Sequence, residues 1–130
     1  MRATGKYVKD ADALWIGLSP PRKTLYQRIS DRVDEMIKAG FEKEVQGLSP
    51  FIETIRRKKM IGYVDLIEYI FDKKINRETA IQRIKQHHRN YAKRQLTWFR
   101  KLKQIAWFDS SQPGHEEKVY AFCEGFFKKA

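Results

Sequence analysis

The chain has 130 residues, with 27 Lys and Arg against 16 Asp and Glu and a net charge of +11. A hydrophobic fraction of 42%, with eight Phe, six Tyr and three Trp, supports a core, which excludes a disordered chain and fits one domain or a piece of one. The cationic excess points to a polyanion, nucleic acid before an anionic membrane surface.

No apolar run reaches transmembrane length, and Met1 is not followed by a signal-type apolar core. The expectation is a cytoplasmic protein with no membrane partner. A single cysteine, Cys123, permits neither an internal disulfide nor a CxxC metal site. On a helical apolar face it reads as a small hydrophobe.

Residues 1–12 are polar without a clear period and read as an exposed lead-in; residues 13–130 read as one mostly helical domain. Ala13 to Leu18 is a short apolar run closed by Ser19-Pro20-Pro21, which favours a buried strand. Ser19 is placed to cap a helix whose first turn holds Pro20 and Pro21. Leu25, Ile29, Val33, Met36 and Ile37 follow helical spacing, and Gly40 supplies a left-handed stop. Arg28 and Arg32 lie one turn apart and can converge on one anion; an ion-pair network with Asp31, Asp34 and Glu35 competes for them.

Phe41 to Leu48 continues as a short helix, broken by Ser49-Pro50. Phe51 to Ile55 is an ambiguous helical turn. Arg56 to Lys59 is a run of four cations, more than a fold requires, and it abuts Met60-Ile61-Gly62-Tyr63. Glycine then tyrosine after a basic run suits close approach to a phosphate backbone or a base. Val64 to Phe71 reads as helix and Asp72 to Ile75 as a turn.

Asn76 is placed to cap a long helix reaching Lys103, with Glu78 in its first turn. Ile81, Ile84, Tyr91, Ala92, Trp98, Phe99 and Leu102 gather on one side of it. Lys85, Arg89, Lys93, Arg94, Arg100 and Lys101 spread over the other, so one face can sit on a core while the other meets a polyanion. Gln95 falls within the apolar face, where an amide needs partners. Ile105 to Phe108 is a second short apolar run, Asp109 to Gly114 a turn, and Val119, Phe122, Cys123 and Phe126 define a closing helix. The fold class is therefore mostly α with two short strands, read as a parallel pair at the edge of an α/β sheet.

No GxxxxGK[ST] loop, HExxH or Ser-His-Asp spacing is present, and the carboxylates are scattered. His87 and His88 point about 100° apart on a helix and cannot share a metal. His88 faces the core and reads as a structural histidine.

Three blocks in order, LYQRISDRVDEMIKAGFEKEV, MIGYVDLIEYI, and YAKRQLTWFRK followed by IAWFD, resemble the C-terminal part of the tRNA dimethylallyltransferase (tRNA isopentenyltransferase) family. The resemblance runs from about Trp15 to Asp109 and is strongest over Lys93 to Arg100. It departs at Val64, where the family commonly has a basic or polar residue. It implies transfer of a dimethylallyl group from dimethylallyl diphosphate to N6 of the adenine beside the tRNA anticodon, with that base extruded from its stack. It implies a P-loop, a catalytic aspartate and magnesium in an α/β half that would precede residue 1, so no metal site and no transferase activity are expected of this chain alone. By its place in the RIxxR pattern, Arg32 would contact the departing diphosphate. Lys59, Met60, Ile61, Gly62, Tyr63, Lys93, Arg94, Gln95, Thr97, Trp98 and Arg100 would meet the tRNA anticodon stem-loop. Lone strand edges leave homodimerisation open. Two other readings fit the residues: a free-standing basic helical RNA-binding module without catalysis, and a structural or interaction domain whose charge serves solubility.

Overall fold

A computed structural model describes residues 13–128, so the expected lead-in lies outside the described residues. In chain order it has β1 (Trp15–Leu18), α1 (Arg22–Lys38), α2 (Phe41–Gln46), a 3-10 turn (Ser49–Phe51), α3 (Ile52–Lys58), α4 (Tyr63–Ile70), α5 (Arg77–Arg100), β2 (Ile105–Phe108) and α6 (His115–Lys128). These elements fall into two units: Pro21–Lys101, and the chain on either side of it.

The middle unit is all helix. Helix α1 starts at Arg22, with Pro21 as its cap residue at φ −54° and ψ 149°. Both prolines therefore stay outside the helix. The Ser19 hydroxyl donates to the Pro20 carbonyl at 3.2 Å and does not cap, which corrects the expected start. Gly40, at φ 108°, turns the chain from α1 into α2, a conformation that costs glycine little. The ambiguous stretch after Pro50 resolves into α3, which takes in Arg56, Arg57 and Lys58 as its last turn. Asn76 caps α5 as expected, its Oδ1 accepting the Thr79 N–H at 2.7 Å. At 24 residues, α5 extends about 36 Å and stops at Arg100, short of the expected Lys103.

The core of this unit draws on every helix in it. Val33 of α1, Phe41 and Val45 of α2, Ile55 of α3, Leu66 and Ile67 of α4, and Ala80 and Ile84 of α5 are buried together. Each fully buried Val, Leu or Ile side chain contributes roughly 1.5–3 kcal/mol relative to exposure. Polar ties cross between elements at the rim. Arg56 Nη2 donates to Asp72 Oδ1 at 2.6 Å, and Arg83 Nη1 to Glu68 Oε2 at 2.9 Å. Arg56 is thus committed to the fold, so among the described residues the four-cation run keeps three cations without an ion pair, Arg57, Lys58 and Lys59.

The other unit is built on one parallel pair, as the sequence led us to expect. Trp15 pairs with Ile105, Ile16 with Ala106, Gly17 with Trp107 and Leu18 with Phe108. The Ser19 N–H donates to the Phe108 carbonyl at 3.1 Å and extends the ladder by one step. Gly17 is required here: a Cβ would lie 2.5 Å from the Trp107 ring. Phe122 of α6 meets Phe108 of β2 edge to face, with ring centroids 5.5 Å apart. No residue of α6 is fully buried.

Candidate nucleic-acid interface

The apolar stripe of α5 does two different things along its length. Ala80 and Ile84 are buried in the core. Beyond them the same stripe is open: Tyr91, Trp98 and Phe99 are exposed, Trp98 by 60%. The expected inward face therefore ends near Ile84. Helical period fixes which residues share a side, whereas the reach of neighbouring helices fixes how far that side is covered.

Around Trp98 lies an open groove of about 440 Å³ lined by Asn90, Lys93, Arg94, Thr97, Trp98 and Lys101. Spacings of three and four residues put them on one face of α5. The Thr97 hydroxyl donates back to the Lys93 carbonyl at 2.8 Å, so its side chain lies along the helix. Trp98 stands edge to face with Phe99, centroids 4.9 Å apart. Lys93, Arg94, Arg100 and Lys101 form no ion pair among the described residues. Unpaired cations beside an exposed indole offer a phosphate its counter-charge and a base a stacking surface. Asn90 belongs to this set and went unnoticed in the sequence; its spacing to Lys93 and Arg94 was the available signal.

Two expectations for α5 need correction. Lys85 is only 8% exposed, and its Nζ lies 2.8 Å from Asp34 Oδ1 of α1. It is spent on helix packing and does not belong to the cationic face. Gln95 is exposed, so its amide is satisfied by solvent and needs no special partner.

The turn between α3 and α4 makes a second candidate surface. Lys59 ends α3 in the left-handed region at φ 50°, and Gly62 opens α4 at φ 87°. Between them Met60 and Ile61 are exposed. Lys59 is the C-cap of α3, and a left-handed residue is a common way to end a helix. Gly62 itself is buried: a Cβ would lie 3.2 Å from Phe41 Cε2, so its open side is filled by that ring. Tyr63 packs edge to face on Phe41 at 5.0 Å, and its hydroxyl donates to Glu44 Oε1 at 2.8 Å. That hydrogen bond, with partial burial and the Glu44 charge, raises the phenol above its ordinary pKa.

Arg28 and Arg32 are exposed on α1. Two of the three competing carboxylates go elsewhere: Asp31 Oδ1 accepts from Gln27 Nε2 at 2.9 Å, and Asp34 holds Lys85. Arg32 therefore has no ion-pair partner among the described residues. His88 is half-buried, in keeping with a core-facing histidine. Burial, then the charges of Arg32 and His87, hold its pKa below 6.5, against an upward pull from Asp65.

Asp65, like Asn90, is not singled out by the sequence. It sits on α4 at 5% exposure, with His87 Nε2 at 3.4 Å from its Oδ1. Burial pushes its carboxyl pKa up, opposed by His87. A lone Asp in the helical run gave no signal of this. Among the described residues no three His, Cys, Asp or Glu gather to hold a metal ion. No helix among the described residues is long and apolar enough to cross a membrane.

The family model described as IPP transferase matches residues 2–102. A tRNA dimethylallyltransferase of Geobacillus thermodenitrificans (strain NG80-2) is 44% identical over 114 residues, 87% of this chain and 35% of the relative. That of Bacillus subtilis (strain 168) is 43% identical over 103 residues, 78% of this chain and 32% of the relative. The crystal structure of a tRNA delta(2)-isopentenylpyrophosphate transferase from Staphylococcus epidermidis superposes with a TM-score of 0.73 at 34% identity, covering 93% of this chain and 39% of that one. The chain thus spans about a third of the length of the curated relatives it matches.

Proposed function

This chain belongs to the IPP transferase family, and from that premise we propose that it is the C-terminal, tRNA-contacting part of a tRNA dimethylallyltransferase. The whole enzyme moves a dimethylallyl group from dimethylallyl diphosphate to N6 of the adenine beside the anticodon. The share of this work that falls to the chain is to hold the RNA and to meet the diphosphate. The resemblance assigns the P-loop, the catalytic aspartate and the magnesium ligands to another part of the enzyme.

One observation carries the reading: the exposed stripe of α5 around Trp98 combines unpaired cations with an open aromatic face. Lys93, Arg94 and Arg100 neutralise phosphates, Trp98 stacks, and Thr97 and Gln95 add polar contacts. Phosphate contacts of this kind fix position without reading sequence. Lys59, Met60 and Ile61 add the exposed tip of the α3–α4 turn, whose shape depends on Gly62 and on Tyr63 held by Glu44. Arg32, with no carboxylate of its own, takes the charge that develops on the diphosphate as it leaves.

Two measurements test this. Binding of an anticodon stem-loop RNA to the chain should weaken steeply with salt, the slope falling by about 0.7–0.9 for each of Lys93, Arg94 and Arg100 replaced by Ala. A salt-independent affinity would end the electrostatic account. In a full-length enzyme carrying this segment, Arg32→Ala should lower turnover far more than it weakens tRNA binding; unchanged turnover would take Arg32 off the diphosphate.

A further inference from the structure

A second cationic recess opens between α1 and α5, and nothing in the family reading uses it. It has a volume of about 580 Å³ and is lined by Arg22, Lys23, Tyr26, Gln27 and Ser30 of α1 and Arg89 of α5. Three of these six residues are cations and none is acidic. Arg22, Lys23 and Arg89 make no ion pair among the described residues. Arg89 Nη2 instead donates to the neutral Gln86 Oε1 at 2.7 Å, which steadies the guanidinium and leaves its charge uncompensated. The nearest acid on the same stretch of α1, Asp31, accepts from Gln27 Nε2 at 2.9 Å, so one carboxylate stands at the rim against three cations. The first turn of α1 carries no acidic residue and no side-chain cap, so its free N–H groups add to the positive potential.

The recess also has a direction. Asp34 of α1 lies against Lys85 of α5, and the recess joins Arg22 to Ser30 with Arg89, so the two helices run antiparallel there. Arg89 is one turn before Lys93, about 5–6 Å along α5. The recess is therefore the next station on the line of cations formed by Lys93, Arg94 and Lys101.

We infer that this α1–α5 recess binds a phosphodiester group of the RNA strand, extending the contact made by the Trp98 groove. The inference rests on the reading of α5 as an RNA-facing helix. The cations come from two helices around an open recess, a geometry suited to a backbone passing through. Arg22 and Arg89 clasp phosphate oxygens from either side, Lys23 adds point charge, and the Tyr26 and Ser30 hydroxyls donate to the same oxygens.

The test uses this chain, a short RNA stem-loop and salt titrations of affinity. Three variants are compared: the recess triple Arg22→Gln, Lys23→Gln, Arg89→Gln; the groove set Lys93→Gln, Arg94→Gln; and a charge control Lys38→Gln, Lys43→Gln, Lys74→Gln, whose residues line neither surface. The recess triple should reduce the salt slope by about 0.7–0.9, the share of one phosphate, and weaken binding roughly 5- to 10-fold at about 0.1 M salt. The control should change neither by as much. Restoring charge as Arg22→Lys with Arg89→Lys, Lys23 being kept, should recover the slope, which separates lost contact from lost folding.

If the groove set lowers the slope and the recess triple matches the control, the recess inference fails while the RNA reading stands. If neither set departs from the control, both fail. Inorganic pyrophosphate is the second probe. Should it compete for the recess at concentrations that leave the groove's contribution intact, the recess is a diphosphate site, and the phosphodiester assignment is overturned.

Discussion

The two units of this molecule bury apolar surface to very different degrees. In the helical unit, five short and long helices close on one core, and its eight buried apolar residues include Val45, Leu66 and Ile84. In the strand unit, Trp15, Leu18, Trp107, Tyr120, Phe122 and Phe127 are exposed, and α6 buries nothing fully. A two-stranded parallel sheet also carries unpaired edges, while parallel sheets are ordinarily covered on both faces. The difference teaches where each unit's order comes from. The helices hold one another, whereas the strand pair has apolar surface left to be covered.

That contrast can be broken most forcefully in the core. Leu66→Ala removes a side chain with no exposure, and should cost roughly 2–5 kcal/mol in a denaturant titration. A loss below about 1 kcal/mol would mean that the helical unit is not the stable part. Gly62→Ala comes next. It forces a side chain into a backbone at φ 87° and against Phe41, so we expect a loss of roughly 1–3 kcal/mol, read by the same titration.

A pH titration of stability sharpens the comparison, because His88 belongs to the helical unit alone. Its pKa is held below 6.5 by burial first, then by Arg32 and His87, with Asp65 pulling the other way. As pH falls below 6.5 the unfolded chain takes up this proton before the folded one. Stability is therefore full above that pH and declines as pH drops through it. His88→Gln should flatten the decline between neutral and mildly acid pH; an unaltered profile would assign it to other groups. Asp65 acts with the opposite sign, since its raised pKa favours the folded state at the acid end.

The smallest effect is expected in α6. Tyr120 and Phe127 are 67% and 69% exposed, so Tyr120→Ser with Phe127→Ser should move stability by less than about 0.5 kcal/mol per site. Light scattering at high protein concentration should fall, because the exposed apolar surface shrinks. A large destabilisation would show that α6 is packed after all.

Much of this architecture is legible in the residues themselves. The parallel pair could be read because two short apolar runs are bounded by prolines and a turn. Gly40 and Asn76 mark helix ends through backbone chemistry that needs no partner. What stayed hidden depends on distant residues. Lys85 looks like any solvated lysine until Asp34 of another helix is placed beside it. Arg56 looks spare until Asp72 takes it. The site was half legible: the order Lys93 to Arg100 is visible, yet its exposure is not, since no local pattern says that the core stops at Ile84. The recess beside Arg89 is invisible because its residues lie far apart in the chain.

The central claim is that α5 presents its far half to RNA. Photo-crosslinking of a short anticodon stem-loop RNA to the chain, with the linked peptides read by mass spectrometry, tests it directly. The account predicts crosslinks concentrated between Lys93 and Lys101, at Trp98 above all. Crosslinks gathered on α6 or the strand pair, with that stretch of α5 unmarked, would contradict it.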